Sequence, residues 1–302
     1  MNLKVVLGRV NKFLNWVKTL VSLMRARNVF ISFFGVIVGA LVFSLGAPIG
    51  LWPIFAAAVS AALILGAGNA INDYFDFEID KINKPGRPIP SGRISRSDTF
   101  IFALALFLVG VGFAKSINEI CLGIAFFNTV ILFGYARYSK RLHVFSNIMI
   151  SYLVASVFIY GAAAAYTPGF TVNDDGVKLL VVLAACAFFI NLSREIVKDI
   201  EDVEGDSKAY AKTLAISHGV DSARKVAFVV ALFAVILSYY PVLSSTIGFN
   251  ELLYGIVITL TNGLILSSFS FHPALNQRIL IVGMVLALAA FVLGVTPTYI
   301  NI

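Results

Sequence analysis

Residues 51–80 read LWPIFAAAVSAALILGAGNAINDYFDFEID. The stretch begins with about 20 mostly apolar residues, enough for a helix to cross roughly 30 Å of hydrocarbon. It ends in Asn72, Asp73, Asp76 and Asp80. A carboxylate beside hydrocarbon is costly unless a cation, a metal or hydrogen bonds compensate it, so acids placed there read first as functional. The pattern returns 126 positions later as Lys198-Asp199-x-x-Asp202-x-x-x-Asp206, again at the end of an apolar run. Nine of the sixteen acidic residues lie in these two stretches, so acidic charge is concentrated at two helix ends and not spread over a solvated surface.

Working outward, 59% of the 302 residues are hydrophobic and the mean hydropathy is +0.90. That is far above a soluble domain and implies an integral membrane protein. Apolar runs of spanning length fall near 28–47, 51–72, 99–116, 118–136, 144–165, 177–197, 225–243, 251–270 and 279–297. They are apolar on all sides, which fits helices and excludes the alternating strands of a membrane barrel. The expected fold is therefore all-α and polytopic, with nine transmembrane helices. With the N-terminus in the cytoplasm, 21 of the 23 basic residues fall on the inside, leaving Lys115 and Lys178 outside. This asymmetry is what the positive-inside rule requires of a multi-pass cell-membrane protein.

The first 27 residues lack a short apolar core followed by a small-residue cleavage site, so no signal peptide is expected. Leu7, Val10, Phe13, Leu14, Val17, Leu20 and Val21 recur at helical spacing against Lys4, Arg9, Lys12 and Lys18. This reads as an amphipathic helix lying in the interface. The expected organisation is that interfacial helix over 1–27, then one nine-helix domain over 28–302. The domain has repeat-like halves near 28–136 and 144–270, with a ninth helix added. The net charge of +7 follows topology and forms no nucleic-acid motif; anionic headgroups or a phosphate substrate explain it better. Cys121, Cys186 and the three histidines have no partners at metal-ligand spacing.

At 100° per residue, Asp73, Asp76 and Asp80 fall within about 60° of one another, as do Asp199, Asp202 and Asp206. Four crossings separate the two sets, so both emerge on one side, and the repeat predicts that their helices face each other across a central cavity. Carboxylates gathered in this way repel unless cations sit between them. Hard divalent ions suit oxygen ligands, and magnesium prefers carboxylates shared with water and phosphate oxygens. The other half of such a site is a phosphate ester.

Basic residues lie one or two turns away: Lys84 and Arg87 beyond the first acidic set, Lys208 and Lys212 beyond the second. Prolines at 85, 88 and 90 and glycines at 86 and 92 make the intervening segment a stiff loop that can hold Arg87 over an anion. A third polar cluster, Tyr135-x-Arg137-Tyr138-Ser139-Lys140-Arg141, follows the fourth run. Candidate diphosphate contacts are Arg27, Lys84, Arg87, Tyr138, Lys140, Lys198 and Lys212; the alternative for several of them is an ordinary interfacial anchor.

Taken together, these residues resemble the UbiA superfamily of intramembrane prenyltransferases, from Arg25 to the ninth helix, through the paired aspartate-rich motifs. The resemblance implies nine helices around a central cavity and two Mg2+ ions holding an isoprenyl diphosphate. It carries metal ligation onto Asn72, Asp76, Asp80, Asp199, Asp202 and Asp206, with Asp73 as a further ligand or a residue behind the ligands. Asp76, Asp80, Asp202 and Asp206 are the expected catalytic set. Lys198 stands where Asn is common, which favours diphosphate contact there. The runs Asp80–Arg93 and Lys198–Asp206 resemble the archaeal branch that transfers geranylgeranyl to geranylgeranylglyceryl phosphate during ether-lipid synthesis. Transfer to an aromatic ring, as in quinone, chromanol or haem-type synthesis, is the alternative within the superfamily. A cation transporter is the competing class outside it. The acids sit at helix ends beside phosphate-binding cations and not midway through the spans, which argues against transport.

Overall fold

The computed structural model describes residues 3–142, 144–166, 168–169, 171–203 and 213–295. Helices α1 to α7 run over Leu3–Met24, Ala26–Ser44, Leu51–Phe75, Phe77–Asn83, Arg96–Lys115, Glu119–Leu142 and Val144–Ala165. Helices α8 to α13 run over Asp174–Glu201, Leu214–His218, Val220–Leu237, Tyr240–Leu243, Glu251–Ser267 and Pro273–Gly294. Among the described residues no sheet forms; extended pairing is limited to the bridge Phe249 to Val295. Nine helices among them are long and apolar enough to cross a membrane, matching the nine runs. Some ends shift for local reasons. The last span starts at Pro273 because His272 caps it and Pro273 occupies its first turn, where a missing N–H costs nothing. The sixth extends past its apolar run to Glu201, so that Asp199 is still helical.

The chain folds as two compact units, and the division runs through α2, α3 and α6. One unit takes the chain up to Phe34 and Ala58–Arg137; the other takes Gly35–Ala57 and the chain from Tyr138 onward. In the first, α1 ends at Arg25, whose φ of 56° lies in the left-handed region that side chains rarely adopt. Asn69 of α3 donates to the Met24 carbonyl at 2.8 Å, satisfying one of the orphan acceptors of that helix end. Ser60 of α3 donates to the Gly110 carbonyl of α5 at 2.7 Å.

In the second unit α8 packs on α7, α10 and α13. The α2–α7 crossing is built from glycine. A Cβ on Gly39 would stand 2.2 Å from the Phe158 carbonyl oxygen, and one on Gly161 would stand 1.9 Å from that of Val36. In lipid, helices associate through such close packing and not through apolar burial, so small residues set the interface. Tyr254, fully buried, donates to the Ser238 carbonyl at 2.7 Å, which satisfies its hydroxyl inside the core.

Candidate functional site

The first acidic motif straddles the end of α3. Asp76 leaves helical geometry at φ −82°, ψ 0° and caps α4, yet its N–H still donates to the Asn72 carbonyl at 2.9 Å. The Asp80 N–H donates to the Asp76 carbonyl at 2.8 Å, so the four-residue ladder from 72 to 80 continues across the break. The Asn72 side-chain amide donates to Asp76 Oδ2 at 2.8 Å. Asp73 and Asp80 are both buried. Asp73 Oδ1 accepts from Arg25 Nη2 at 2.8 Å and from Arg87 Nη1 at 3.1 Å, and Arg87 Nη1 also pairs with Asp80 Oδ2.

Arg87 reaches these acids from a loop that holds its own shape. The Ser91 hydroxyl and N–H both donate to the Arg87 carbonyl, and Arg93 donates to the Gly86 carbonyl and to Ser91 Oγ. Gly92 supplies the left-handed turn, at φ 73°, and Pro88, Ile89 and Ile94 anchor the loop by burial. Beside it lies a cavity of about 450 Å³ lined by Ser22, Arg25, Asp73, Lys84, Arg87 and their neighbours. Arg27, two residues beyond Arg25, is exposed and is not among those lining it. Aromatic rings flank the motif. Phe75 packs edge-on to Phe133 at 5.8 Å between ring centres, and the Arg137 guanidinium lies 5.6 Å from the Phe75 ring. Arg96 stacks on Tyr74 at 4.5 Å and donates to its carbonyl.

The second motif starts on the last turn of α8, with Asp202 as its C-cap. Asp199 Oδ2 accepts from the buried Asn147 side chain of α7 at 2.8 Å. Behind this pair a polar ladder enters the span: Asn191 donates to Ser151 Oγ, Arg194 donates to Asn191 Oδ1, and Arg194 pairs with buried Glu195. Lys198 is exposed and lies 3.7 Å from Glu195. Tyr138 is exposed at the end of α6. Asp206, Lys208, Lys212 and the Lys140 side chain lie outside the described residues.

The UbiA prenyltransferase family profile matches residues 32–277. The chain belongs to the UbiA prenyltransferase family. This UbiA member is 41% identical over 274 residues to a Methanopyrus kandleri protein named digeranylgeranylglyceryl phosphate synthase, covering 89% of this chain and 96% of that one. A solved structure from work on a digeranylgeranylglyceryl phosphate synthase in membranes superposes with a TM-score of 0.77 at 31% identity, covering 93% of this chain and 98% of its own. A UbiA homologue from Archaeoglobus fulgidus bound to DMAPP and Mg2+ shares the fold, with a TM-score of 0.63 at 19% identity and coverage of 91% and 98%. The chain is thus a membrane prenyltransferase.

The donor set of this UbiA chain suits a hard cation. Asn72 and Asp76 carry oxygen donors, and because Asn72 uses Nδ2 to reach Asp76, its amide oxygen is the atom it can offer a cation; Asp202 brings the same donor type to the second motif. Among the described residues no three His, Cys, Asp or Glu side chains close on one point, and Asp80 is engaged by Arg87. The sequence pattern set Asn147 just beyond the third polar cluster but did not single out Asn191 or Glu195. Their signal was present as polar residues at helical spacing within apolar runs.

Proposed function

We propose that this protein transfers a geranylgeranyl group from its diphosphate to geranylgeranylglyceryl phosphate, forming an ether lipid at the cytoplasmic face of the membrane. The carrying observation is the identity of 41% across nearly the whole of a relative bearing that activity in its name. In this reading Asn72, Asp76, Asp80, Asp199, Asp202 and Asp206 hold two Mg2+ ions. Lys84, Arg87, Tyr138, Lys140, Lys198 and Lys212 face the diphosphate, and α1 lies in the interface with Val10, Phe13, Leu14 and Trp16 toward lipid. In the same reading residues 28–302 are the catalytic domain and the N-terminus is inside, which the excess of basic residues on one set of connections supports.

When bound, Mg2+ supplies Lewis-acid stabilisation of the negative charge that gathers on the diphosphate. The protein contributes the rest. Guanidinium and ammonium groups fixed on a stiff loop meet the leaving group without reorganising as the allylic C–O bond breaks. The faces of aromatic rings such as Phe75 stabilise the allylic cation. The acceptor hydroxyl, held about 3 to 3.5 Å from that carbon, attacks to give the ether, and its proton passes to the departed diphosphate. Both substrates carry long apolar tails, each buried CH2 favouring lipid by about 0.8 kcal/mol, which explains why the reaction sits at the bilayer.

The test is transfer of labelled geranylgeranyl diphosphate to geranylgeranylglyceryl phosphate by detergent-purified protein, with Mg2+ and with EDTA. Metal-dependent ether product is expected. Prenylation of 4-hydroxybenzoate with the glyceryl phosphate ignored would move the acceptor to the aromatic branch. The Asn147 contact carries a second expectation. Asn147→Ala removes a hydrogen bond that orients Asp199, so the Mg2+ concentration for half-maximal transfer should rise about 10- to 100-fold. A magnesium titration of wild type and variant measures it.

A further inference from the structure

We infer that Asp73 is a positioning residue: it ligates no metal and instead holds Arg25 and Arg87 side by side as the wall of an anion site facing the 450 Å³ cavity. The inference rests on the diphosphate chemistry proposed above and assigns one acid of the motif a different task within it. Three observations carry it. Both guanidinium groups converge on the same oxygen, Oδ1, at 2.8 and 3.1 Å. Burial does not separate Asp73 from Asp80, at 5% and 6% exposed, but the second guanidinium does: Asp73 takes both Arg25 and Arg87, whereas Asp80 takes Arg87. A divalent ion on that carboxylate would also stand within a few ångströms of two guanidinium charges, an arrangement that only further anions relieve.

The backbone is built to make this contact. Arg25 occupies the left-handed region at the α1–α2 junction, with φ 56°, and Asn69 pins the preceding carbonyl. Strain at a side-chain-bearing residue persists where the surroundings over-determine it, and such residues gather at functional sites. Arg87 arrives on the loop locked by Arg93 and Ser91. Left alone, two guanidinium groups this close would repel and splay. A shared carboxylate cancels part of that repulsion; with Asp80 also on Arg87 the four groups are formally neutral, and Lys84, which lines the same cavity with Ser22, adds the positive charge. The ligand class is a phosphate or diphosphate group, which guanidinium forks bind in bidentate fashion.

The experiment separates metal binding from anion binding on full-length protein in detergent. Mn2+ is counted by electron paramagnetic resonance, and inorganic pyrophosphate affinity is measured by calorimetry in excess Mg2+. Asp73→Asn should keep the wild-type number of bound Mn2+ ions while weakening pyrophosphate about 10- to 100-fold and raising the donor KM. Asp76→Asn should lose a bound Mn2+. The double variant of Asp73→Asn with Arg25→Gln should bind pyrophosphate about as well as the weaker single variant, because residues in one network are not additive. Asp73→Glu, which keeps the charge, should recover part of the affinity, and thermal unfolding of each variant identifies any that misfold. Loss of a Mn2+ ion from Asp73→Asn, or additive losses in the double variant, would overturn the assignment. Wild-type protein that bound neither Mn2+ nor pyrophosphate would overturn the metal and diphosphate reading itself, and this inference with it.

Discussion

Asp76→Ala is expected to lower transfer by about 10³-fold, in line with removing one preorganised stabiliser of transition-state charge. Asp76 lies where α3 gives way to α4, half-buried, with its carboxylate oriented by Asn72. Its carboxylate accepts from the Asn72 amide, whereas Asp73 and Asp80 are engaged by arginine. The loss should fall on kcat more than on donor KM, and folded yield should stay near wild type, since the side chain contributes no buried apolar area. Single-turnover transfer with saturating donor measures the first point and size-exclusion chromatography the second. An active Asp76→Ala protein would remove the metal role from the first motif.

Gly161→Val should prevent accumulation of folded protein, for a reason unrelated to chemistry. The first added carbon would lie 1.9 Å from the Val36 carbonyl oxygen and 2.9 Å from the Ala40 nitrogen, and both are backbone atoms of the facing helix. Side-chain repacking cannot relieve such a clash, so α2 and α7 must separate, at a cost of about 3 kcal/mol or more. No gain in apolar burial offsets it, because the lipid is as apolar as the added methyl groups. Gly123, with nothing within 4 Å, is the control: alanine there should be neutral or stabilise by up to about 1 kcal/mol. Folded yield and thermal unfolding in detergent distinguish the two.

The spans were legible because a chain in hydrocarbon must satisfy its backbone locally, so an apolar run of sufficient length leaves few alternatives to helix. Their ends were less so. Pro273 and the acids at the tail of α8 extend helices beyond the apolar residues that announce them. The acidic motifs were legible from spacing alone. Which arginine meets them was not: Arg25 and Arg27 differ by two positions, and a left-handed turn at a residue other than glycine leaves no mark in sequence. The tie between Asn147 and Asp199 joins residues 52 positions apart, beyond any local period. By contrast Asn191 and Glu195 stand one helical turn apart in an apolar run, and that anomaly was readable.

The loop from Lys84 to Arg93 knots its own hydrogen bonds through Ser91 and Arg93, independently of any ligand. Its disorder is therefore lost once, when the chain folds, and not again in each catalytic cycle. Loops near a membrane site often order only when substrate arrives, and they then show a large change in amide hydrogen exchange. Here the amides of Ser91, Gly92 and Arg93, already bonded to carbonyls within the loop, should exchange slowly and at nearly the same rate with and without diphosphate. A clamp that is shut before its cargo comes trades adaptability for speed, and it ties tolerance of heat to tolerance of substrate variation in a single ten-residue segment.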